Sequence, residues 1–377
     1  MASKKTLPIT RPTLEPFAAY APLFKKTIAS GMLTTAGHVR EFERRTAKYL
    51  GVKYCVATSS CTAGLMLVCK GLGLKGEVIV PSFTFSASAL PLLWNSLTPV
   101  FADINPKTYT IDTKQVEKLI TKKTSAILAT HVFGIPADVS KLSALARKHK
   151  LKLIFDAAHA FGSTLGGKHI GVFGDAEVFS CSPTKSLTTG EGGIVTTNNK
   201  ALAEFVRLGR NYGDDGSNDI LFAGLSARMP ELSAAVGLRS LQKLPANLKR
   251  RRAAARYLTV QMQKIEPILH FQTVPKGVET TYKDLSVYID PTVLGYTRDA
   301  LHDFFASRGI MTRKYFYPPL HRMRAYKAHH DSVNALPVTE HVAKNVLSLP
   351  MYAHLTKVDM NRIIKTFKEF VYARKKN

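Results

Sequence analysis

Negative charge is scarce in this 377-residue sequence: 27 Asp and Glu face 53 Lys and Arg, for a formal net charge of +26. A field of that sign attracts nucleic acid, anionic membrane or phosphorylated metabolites and does not choose among them. The basic residues are scattered rather than gathered into a tail, and no helix-turn-helix, zinc-finger or RNA-recognition signature accompanies them, which argues against nucleic acid. The densest run, Lys249-Arg250-Arg251-Arg252 with Arg256, leads into apolar residues at helical spacing and reads as the solvated face of a helix. Cysteine is rare as well. Cys55, Cys61, Cys69 and Cys181 show neither Cys-x-x-Cys spacing nor histidines at zinc spacing. A disulfide scaffold and a metal site are therefore not expected; reduced, mostly buried thiols in a cytoplasmic protein are. No apolar run approaches membrane-spanning length, and Lys4 and Lys5 have no hydrophobic segment behind them, so neither insertion nor secretion is expected. Low-complexity tracts and repeats of solenoid period are also missing.

What is present suits a folded globular protein, with 45% hydrophobic and 21% charged residues. The length predicts one large domain with a smaller companion. Val39, Phe42, Tyr49 and Leu50 share one helical face that Gly51 can terminate. Short apolar runs follow at residues 54–57, 77–80, 99–102, 125–130 and 151–155, with helical periodicity between several of them. Apolar strands alternating with amphipathic helices predict a mostly parallel α/β sheet covered on both faces. Two more runs, 177–180 and 193–197, have no helix between them, so part of the sheet is expected to be irregular or antiparallel. A long helical region over 230–263 reads as a bridge, followed by a strand at 285–289 and helices at 297–308 and 358–372. The domain boundary is placed near Leu244, giving a large domain over 1–244 and a small one over 245–377.

Open α/β sheets bind ligands where strand ends, loops and helix N-termini converge, and three segments stand at such ends. Thr58-Ser59-Ser60-Cys61-Thr62-Ala63-Gly64-Leu65 is a small-residue turn opening a helix. Its free N–H groups at Cys61 and Thr62 could cradle a phosphate, or Ser60 could simply cap the helix. Asp156 ends an apolar run, with His159 three residues on. A carboxylate there needs a cationic partner if ionised; the alternative is a strand-end helix cap. The third segment, Phe179-Ser180-Cys181-Ser182-Pro183-Thr184-Lys185, continues to Gly190-Glu191-Gly192-Gly193. A lysine among small hydroxylated residues and glycines suits a nucleophilic amine beside a cofactor.

The three segments in this order resemble those of the DegT/DnrJ/EryC1/StrS family of fold-type I pyridoxal-phosphate sugar aminotransferases. The likeness extends over nearly the whole chain, through Gly31-Met32-Leu33-Thr34-Thr35, Val80-Pro81-Ser82-Phe83-Thr84-Phe85, Phe101-Ala102-Asp103-Ile104, Thr130-His131-Val132-Phe133-Gly134, Arg210-Asn211-Tyr212-Gly213 and Pro318-Pro319-Leu320-His321. It implies a fold-type I transferase: a large domain around a mostly parallel seven-stranded sheet sandwiched by helices, and a smaller C-terminal α/β domain. It further implies that Lys185 is the Schiff-base lysine and proton shuttle, that Asp156 keeps the pyridine nitrogen protonated, and that Phe85 stacks on the ring. His159 would lie near the phenolic oxygen, Ser180, Cys61 and Thr62 would hold the phosphate, and Thr34, Tyr315 and His321 would meet substrate.

Three features depart from the family pattern: Cys61, the pair Ser226-Ala227 where Asn-Tyr is usual, and a net charge of +26 that is more basic than the family leads one to expect. Cys61 stands where Gly is commoner, and its backbone N–H still serves. Ser226 stands where an Asn usually reaches the phosphate of the neighbouring subunit in a homodimer with shared sites. The implied reaction moves an amino group from glutamate, released as 2-oxoglutarate, to a nucleotide-linked keto sugar, foremost a dTDP-4-keto-6-deoxyhexose; 3-keto isomers and GDP- or UDP-linked sugars are the alternatives. Sugar dehydratases of the same fold carry His in place of the lysine, and Lys185 argues against that reaction. A regulatory or nucleic-acid-binding protein on this fold is the rival from another class, motivated by the charge alone.

Overall fold

The apolar runs assemble into a seven-stranded sheet in a computed structural model that describes residues 6–217, 219–329 and 335–375. Its strands are β1 (Tyr54–Thr58), β2 (Glu77–Pro81), β3 (Thr98–Ala102), β4 (Thr124–Thr130), β5 (Lys152–Asp156), β6 (Ala176–Ser180) and β7 (Gly193–Thr197), ordered β1-β7-β6-β5-β4-β2-β3. The pairs β2–β3, β2–β4, β4–β5 and β5–β6 are parallel, whereas β7 runs antiparallel to both β6 and β1. The missing helix between β6 and β7 explains this: a parallel pair needs a crossover, and here a loop carrying Lys185 turns straight back. Six strands therefore end on one edge of the sheet, and Asp156 and Ser180 are the last residues of β5 and β6.

Helices cover both faces. On one side Leu65, Leu67 and Val68 of the helix Cys61–Gly71 pack with Leu202 and Val206 against Val178 and Val195. Gly64 is required there, since a Cβ would meet Val178 at 2.8 Å. On the other side Val39 and Phe42 of the helix Gly37–Leu50 join Leu241, Leu244 and Leu248 of the long helix Glu231–Ile265. Burying each such side chain contributes roughly 1.5–3 kcal/mol. The helix Gly37–Leu50 has no side-chain cap of its own, its N-cap position being Ala36. Instead the Glu231 carboxylate accepts the N–H groups of Ala36 (2.7 Å), His38 (2.7 Å) and Val39 (2.9 Å). This ties the start of one helix to the start of another, a cap contributed from 195 residues away.

The long helix bridges two cores. Up to Leu248 its buried residues belong with the large sheet; from Ala254, through Ala255, Leu258 and Met262, they belong with a second cluster. That cluster surrounds an antiparallel sheet of His270–Phe271, Leu285–Tyr288 and Val346–Leu349, with the helices Arg298–Ser307 and Lys357–Lys375. Leu244, taken as the boundary from sequence, thus falls inside a continuous helix. The N-terminal segment, assigned to the larger domain from sequence, docks on the second core. Leu7 is buried there and exchanges backbone hydrogen bonds with Gly309 and Met311, and Ile9 accepts one from Met351.

The basic run is not uniformly solvated. Lys249, Arg250 and Arg256 are exposed, but Arg251 is 2% exposed and donates to the carbonyls of Thr281, Tyr282 and Lys283. Arg252 donates to the carbonyls of Thr280 and Gly162. Loop carbonyls buried between the two cores need donors, and a guanidinium supplies several in one plane. All four cysteines are free and buried. Among the described residues no helix is long and apolar enough to cross a membrane.

Candidate active site

The strand ends and the two turns beside them enclose a cavity of about 190 Å³. Cys61 and Thr62 line it from the helix N-terminus, Asp156 and His159 from the end of β5, and Ser180 and Lys185 from the β6–β7 loop. Phe85 completes the wall from the turn after β2 and is 59% exposed. Seven residues expected at the site from sequence are therefore brought into one cavity.

Each is held by local chemistry. Ser60 caps the helix through its Oγ, which accepts from Ala63 N–H at 3.1 Å. The N–H groups of Cys61 and Thr62 precede the helix ladder and face the cavity end, a geometry that favours a bound anion. Gly193 makes this turn possible: any Cβ there would lie 2.4 Å from the Ser60 carbonyl and 2.6 Å from Cys61 N. Burial pushes the Cys61 thiol well above its ordinary range, helped by Asp156, and Sγ donates to Val178 O at 3.6 Å. The Cys61 thiol therefore stays protonated.

Asp156 is 4% exposed. Its Oδ1 accepts Ala158 N–H at 3.0 Å, and its Oδ2 accepts Ser88 Oγ–H at 2.5 Å; Ser88 in turn meets Thr84 Oγ1 at 2.8 Å. The carboxylate is fixed in orientation, with lone pairs remaining for a cationic partner. His159 accepts the Phe133 N–H at Nδ1 (3.2 Å), so in the neutral ring the proton resides on Nε2. Burial, then the charges of Lys185 and Lys283, hold its pKa well below the ordinary value. Rings of Phe133 and Phe316 stack on it at 6.1 and 6.2 Å.

The Lys185 loop is pinned at its base. Cys181 N–H donates to Gly192 O at 2.9 Å, Thr189 N–H to Cys181 O at 2.9 Å, and Lys185 N–H to Ser182 O at 3.0 Å. Ser186 Oγ donates to Phe161 O at 2.8 Å, and Ser240 Oγ of the long helix accepts Thr188 N–H at 3.0 Å. Burial, reinforced by the charge of Lys283, lowers the Lys185 pKa to about 8. An amine that deprotonates there is nucleophilic near neutral pH. Anion cradle, oriented carboxylate, neutral imidazole and reactive amine within one small cavity form the donor set that a phosphorylated pyridine aldehyde requires.

The sequence profile of the DegT/DnrJ/EryC1/StrS aminotransferase family matches residues 19–368. The chain belongs to that family. It is 33% identical over 350 residues to dTDP-3-amino-3,6-dideoxy-alpha-D-galactopyranose transaminase of Aneurinibacillus thermoaerophilus, covering 92% of this chain and 94% of that one. It is 36% identical over 333 residues to GDP-perosamine synthase of Caulobacter vibrioides, covering 86% and 87%. The crystal structure of DesI with its TDP-sugar product superposes with a TM-score of 0.92 at 34% identity, covering 100% of this chain and 96% of that one.

Four residues that the family likeness suggested lie outside the cavity lining. Thr34 is exposed and bridges Pro230 at the start of the long helix. Ser226 is exposed, accepting from Tyr212 OH at 3.0 Å, with the Arg228 guanidinium 5.4 Å from the Tyr212 ring. His321 is buried between Ser82 Oγ (2.6 Å from Nδ1) and Glu340 (2.8 Å from Nε2), and borders a separate cleft with Arg322, Arg324 and Lys327. Tyr315 lies behind the His159–Phe316 stack, its ring 5.9 Å from the Lys283 ammonium. Sequence reasoning missed Thr84, Ser88, Thr130, Ser182 and Glu191, of which all but Ser88 line the cavity while Ser88 braces Asp156. The small hydroxyl side chains of Thr84, Ser88, Thr130 and Ser182 give no periodic signal, and Glu191 stands alone among glycines.

Proposed function

We propose that this sugar aminotransferase binds pyridoxal 5′-phosphate in the cavity and transfers the amino group of glutamate to a nucleotide-linked keto sugar, foremost a dTDP-4-keto-6-deoxyhexose. The observation that carries the reading is the convergence of the Lys185 amine, the braced Asp156 carboxylate and the helix N-terminus on one cavity. Bound there, the cofactor supplies an electron sink and a carbonyl that accepts and returns the amino group. The N–H groups of Cys61 and Thr62 and the Ser180 hydroxyl hold its phosphate. Asp156 keeps the ring nitrogen protonated through an ion pair that the low-dielectric surroundings strengthen. His159 offers its Nε2–H to the ring oxygen, and in each half-reaction Lys185 would carry the proton between the substrate's reacting carbon and the cofactor's aldehyde carbon.

The test is incubation of the cofactor-loaded protein with glutamate and a panel of keto sugars on dTDP, GDP and UDP, with the keto group at C3 or C4, products read by mass. An amino sugar formed fastest from the dTDP-4-keto-6-deoxyhexose is expected. A 3-amino product, or a faster GDP- or UDP-linked substrate, replaces the sugar; no amino product from any of them ends the reading.

The exposed Ser226 and Tyr212, 47% exposed, fit a loop that meets the phosphate pocket of a second copy, with each active site shared in a homodimer. Ser226→Asp then sets a carboxylate against the neighbour's phosphate, and Lys185→Ala removes the amine from the other side. Each variant alone is expected to be inactive. Co-refolded hybrids contain one site with both defects and one with neither, so activity returns. Hybrids shown to form that stay inactive refute the shared site.

A further inference from the structure

Thr130 has no role in the reading above, although it ends β4 and lines the cavity. It is 4% exposed, and its Oγ1 is a buried atom without a hydrogen-bond partner among the described residues. A buried hydroxyl left unpaired is costly, and such atoms are rare in native folds. Valine has nearly the same shape without that cost and suits a strand at least as well, so the hydroxyl asks for a partner. The other buried atoms in this condition, such as Thr46 Oγ1 and Tyr296 Oη, do not line the cavity.

The strand order indicates which part of a bound cofactor this hydroxyl meets. Thr130 and Asp156 are register partners on the parallel strands β4 and β5, and His131 N–H donates to Asp156 O at 3.0 Å. The hydroxyl and the carboxylate therefore stand side by side in the cavity wall. The cradle at Cys61 and Thr62 follows β1, and Ser180 and Lys185 stand at and after the end of β6, all across β5 from Thr130. His159 belongs to the β4 flank. Phe133, three residues after Thr130, donates its N–H to His159 Nδ1 at 3.2 Å and stacks on the imidazole at 6.1 Å. A phosphorylated pyridine aldehyde has four polar groups. Its phosphate goes to the helix N-terminus, its aldehyde to Lys185 and its protonated nitrogen to Asp156. The ring oxygen is left, and it falls on the flank where His159 and Thr130 stand.

We propose that the Thr130 hydroxyl donates a hydrogen bond to the ring oxygen of the cofactor, beside the His159 Nε2–H, an inference that rests on the cofactor reading above. A negatively charged oxygen accepts more than one such bond, so the imidazole does not displace the hydroxyl. Two donors stabilise the charge on that oxygen and weaken its hold on a proton carried by the Lys185 nitrogen next to it. Thr130 is thus a cofactor-binding residue that also sets the pH at which that nitrogen gives up its proton.

Thr130→Val, which removes only the hydroxyl, and Thr130→Ser, which keeps it, test this. The apoproteins are titrated with pyridoxal 5′-phosphate and with its analogue lacking the ring hydroxyl, and the visible band of each loaded protein is followed against pH. Loss of a hydrogen bond to a charged oxygen predicts pyridoxal 5′-phosphate binding weakened roughly tenfold or more in Thr130→Val, against less than about threefold for the analogue. The midpoint of the visible titration rises by roughly half a unit or more, and Thr130→Ser stays near the wild type. Without cofactor, Thr130→Val should melt no lower than the wild type, because it no longer buries an unpaired hydroxyl; a lower melting temperature marks a structural brace and overturns the proposal. Unchanged affinity, an unmoved midpoint or an equal loss with both ligands overturns it too. Should Thr130→Val fail to fold, Thr130→Ala is read by the same binding and titration criteria. A wild type that captures no pyridoxal 5′-phosphate ends the cofactor reading and this assignment with it, whereas normal capture by both wild type and Thr130→Val ends this assignment alone.

Discussion

Lys185→Ala is expected to abolish turnover, with a loss of at least about a thousandfold, or roughly 4 kcal/mol of transition-state stabilisation. No second lysine lines the cavity, so nothing replaces the amine that moves the proton. Borohydride treatment of the wild type with cofactor bound, followed by peptide mapping, should place the label on Lys185; a label on another lysine would sink the assignment. The same residue predicts a pH dependence. Burial and the Lys283 charge disfavour the protonated form and bring the pKa to about 8, below the ordinary lysine value of about 10.4. The neutral amine is therefore available above pH 8, and cofactor capture by the apoprotein should rise through a midpoint near that value. A midpoint near 10 would show that the amine is solvated like any surface lysine.

Much of this architecture was legible because buried parallel strands read as continuous apolar runs. The strand ends followed: Asp156 and Ser180 stand where a run stops, and the cavity lies there. The antiparallel return of β7 was legible from the missing helix between two close runs. Arg251 shows what a charge hides. Leu244, Leu248, Arg251, Ala255, Leu258 and Met262 follow one helical stripe, and all six are buried. The spacing placed Arg251 inside; its charge suggested solvent, and the unsatisfied loop carbonyls decided the matter. Ser88 and Lys283 were illegible for another reason. Each acts on a residue far off in sequence, Ser88 on Asp156 and Lys283 on Lys185, so no local pattern marks them. Thr34, Tyr315 and His321 entered through family likeness alone, which carries residue identity without the local packing that sets their direction.

Asp156→Asn should leave the protein folded and nearly inactive. Asn preserves the shape, and its Oδ1 can still accept the Ala158 N–H now received by Asp156 Oδ1. The amide NH₂ would then face Ser88, whose hydroxyl can turn to accept from it and donate to Thr84 Oγ1, its present 2.8 Å partner. No buried polar atom is orphaned, so unfolding temperature should move by only a few degrees. What is lost is the charge opposite the ring nitrogen. Removing one partner of a buried, hydrogen-bonded charge pair costs roughly 2–5 kcal/mol, which corresponds to about 30- to several thousandfold in turnover. Asp156→Ala should behave differently, because it also strands the Ala158 N–H, although the Ser88 hydroxyl can still donate to Thr84 Oγ1. Such an unsatisfied group costs about 1–3 kcal/mol, so stability should fall along with activity. The contrast separates the two roles that the carboxylate could have: a strand-end brace predicts an active Asn variant, whereas a charge partner predicts an inactive one that melts like the wild type. Near-normal turnover in Asp156→Asn would reduce Asp156 to a brace.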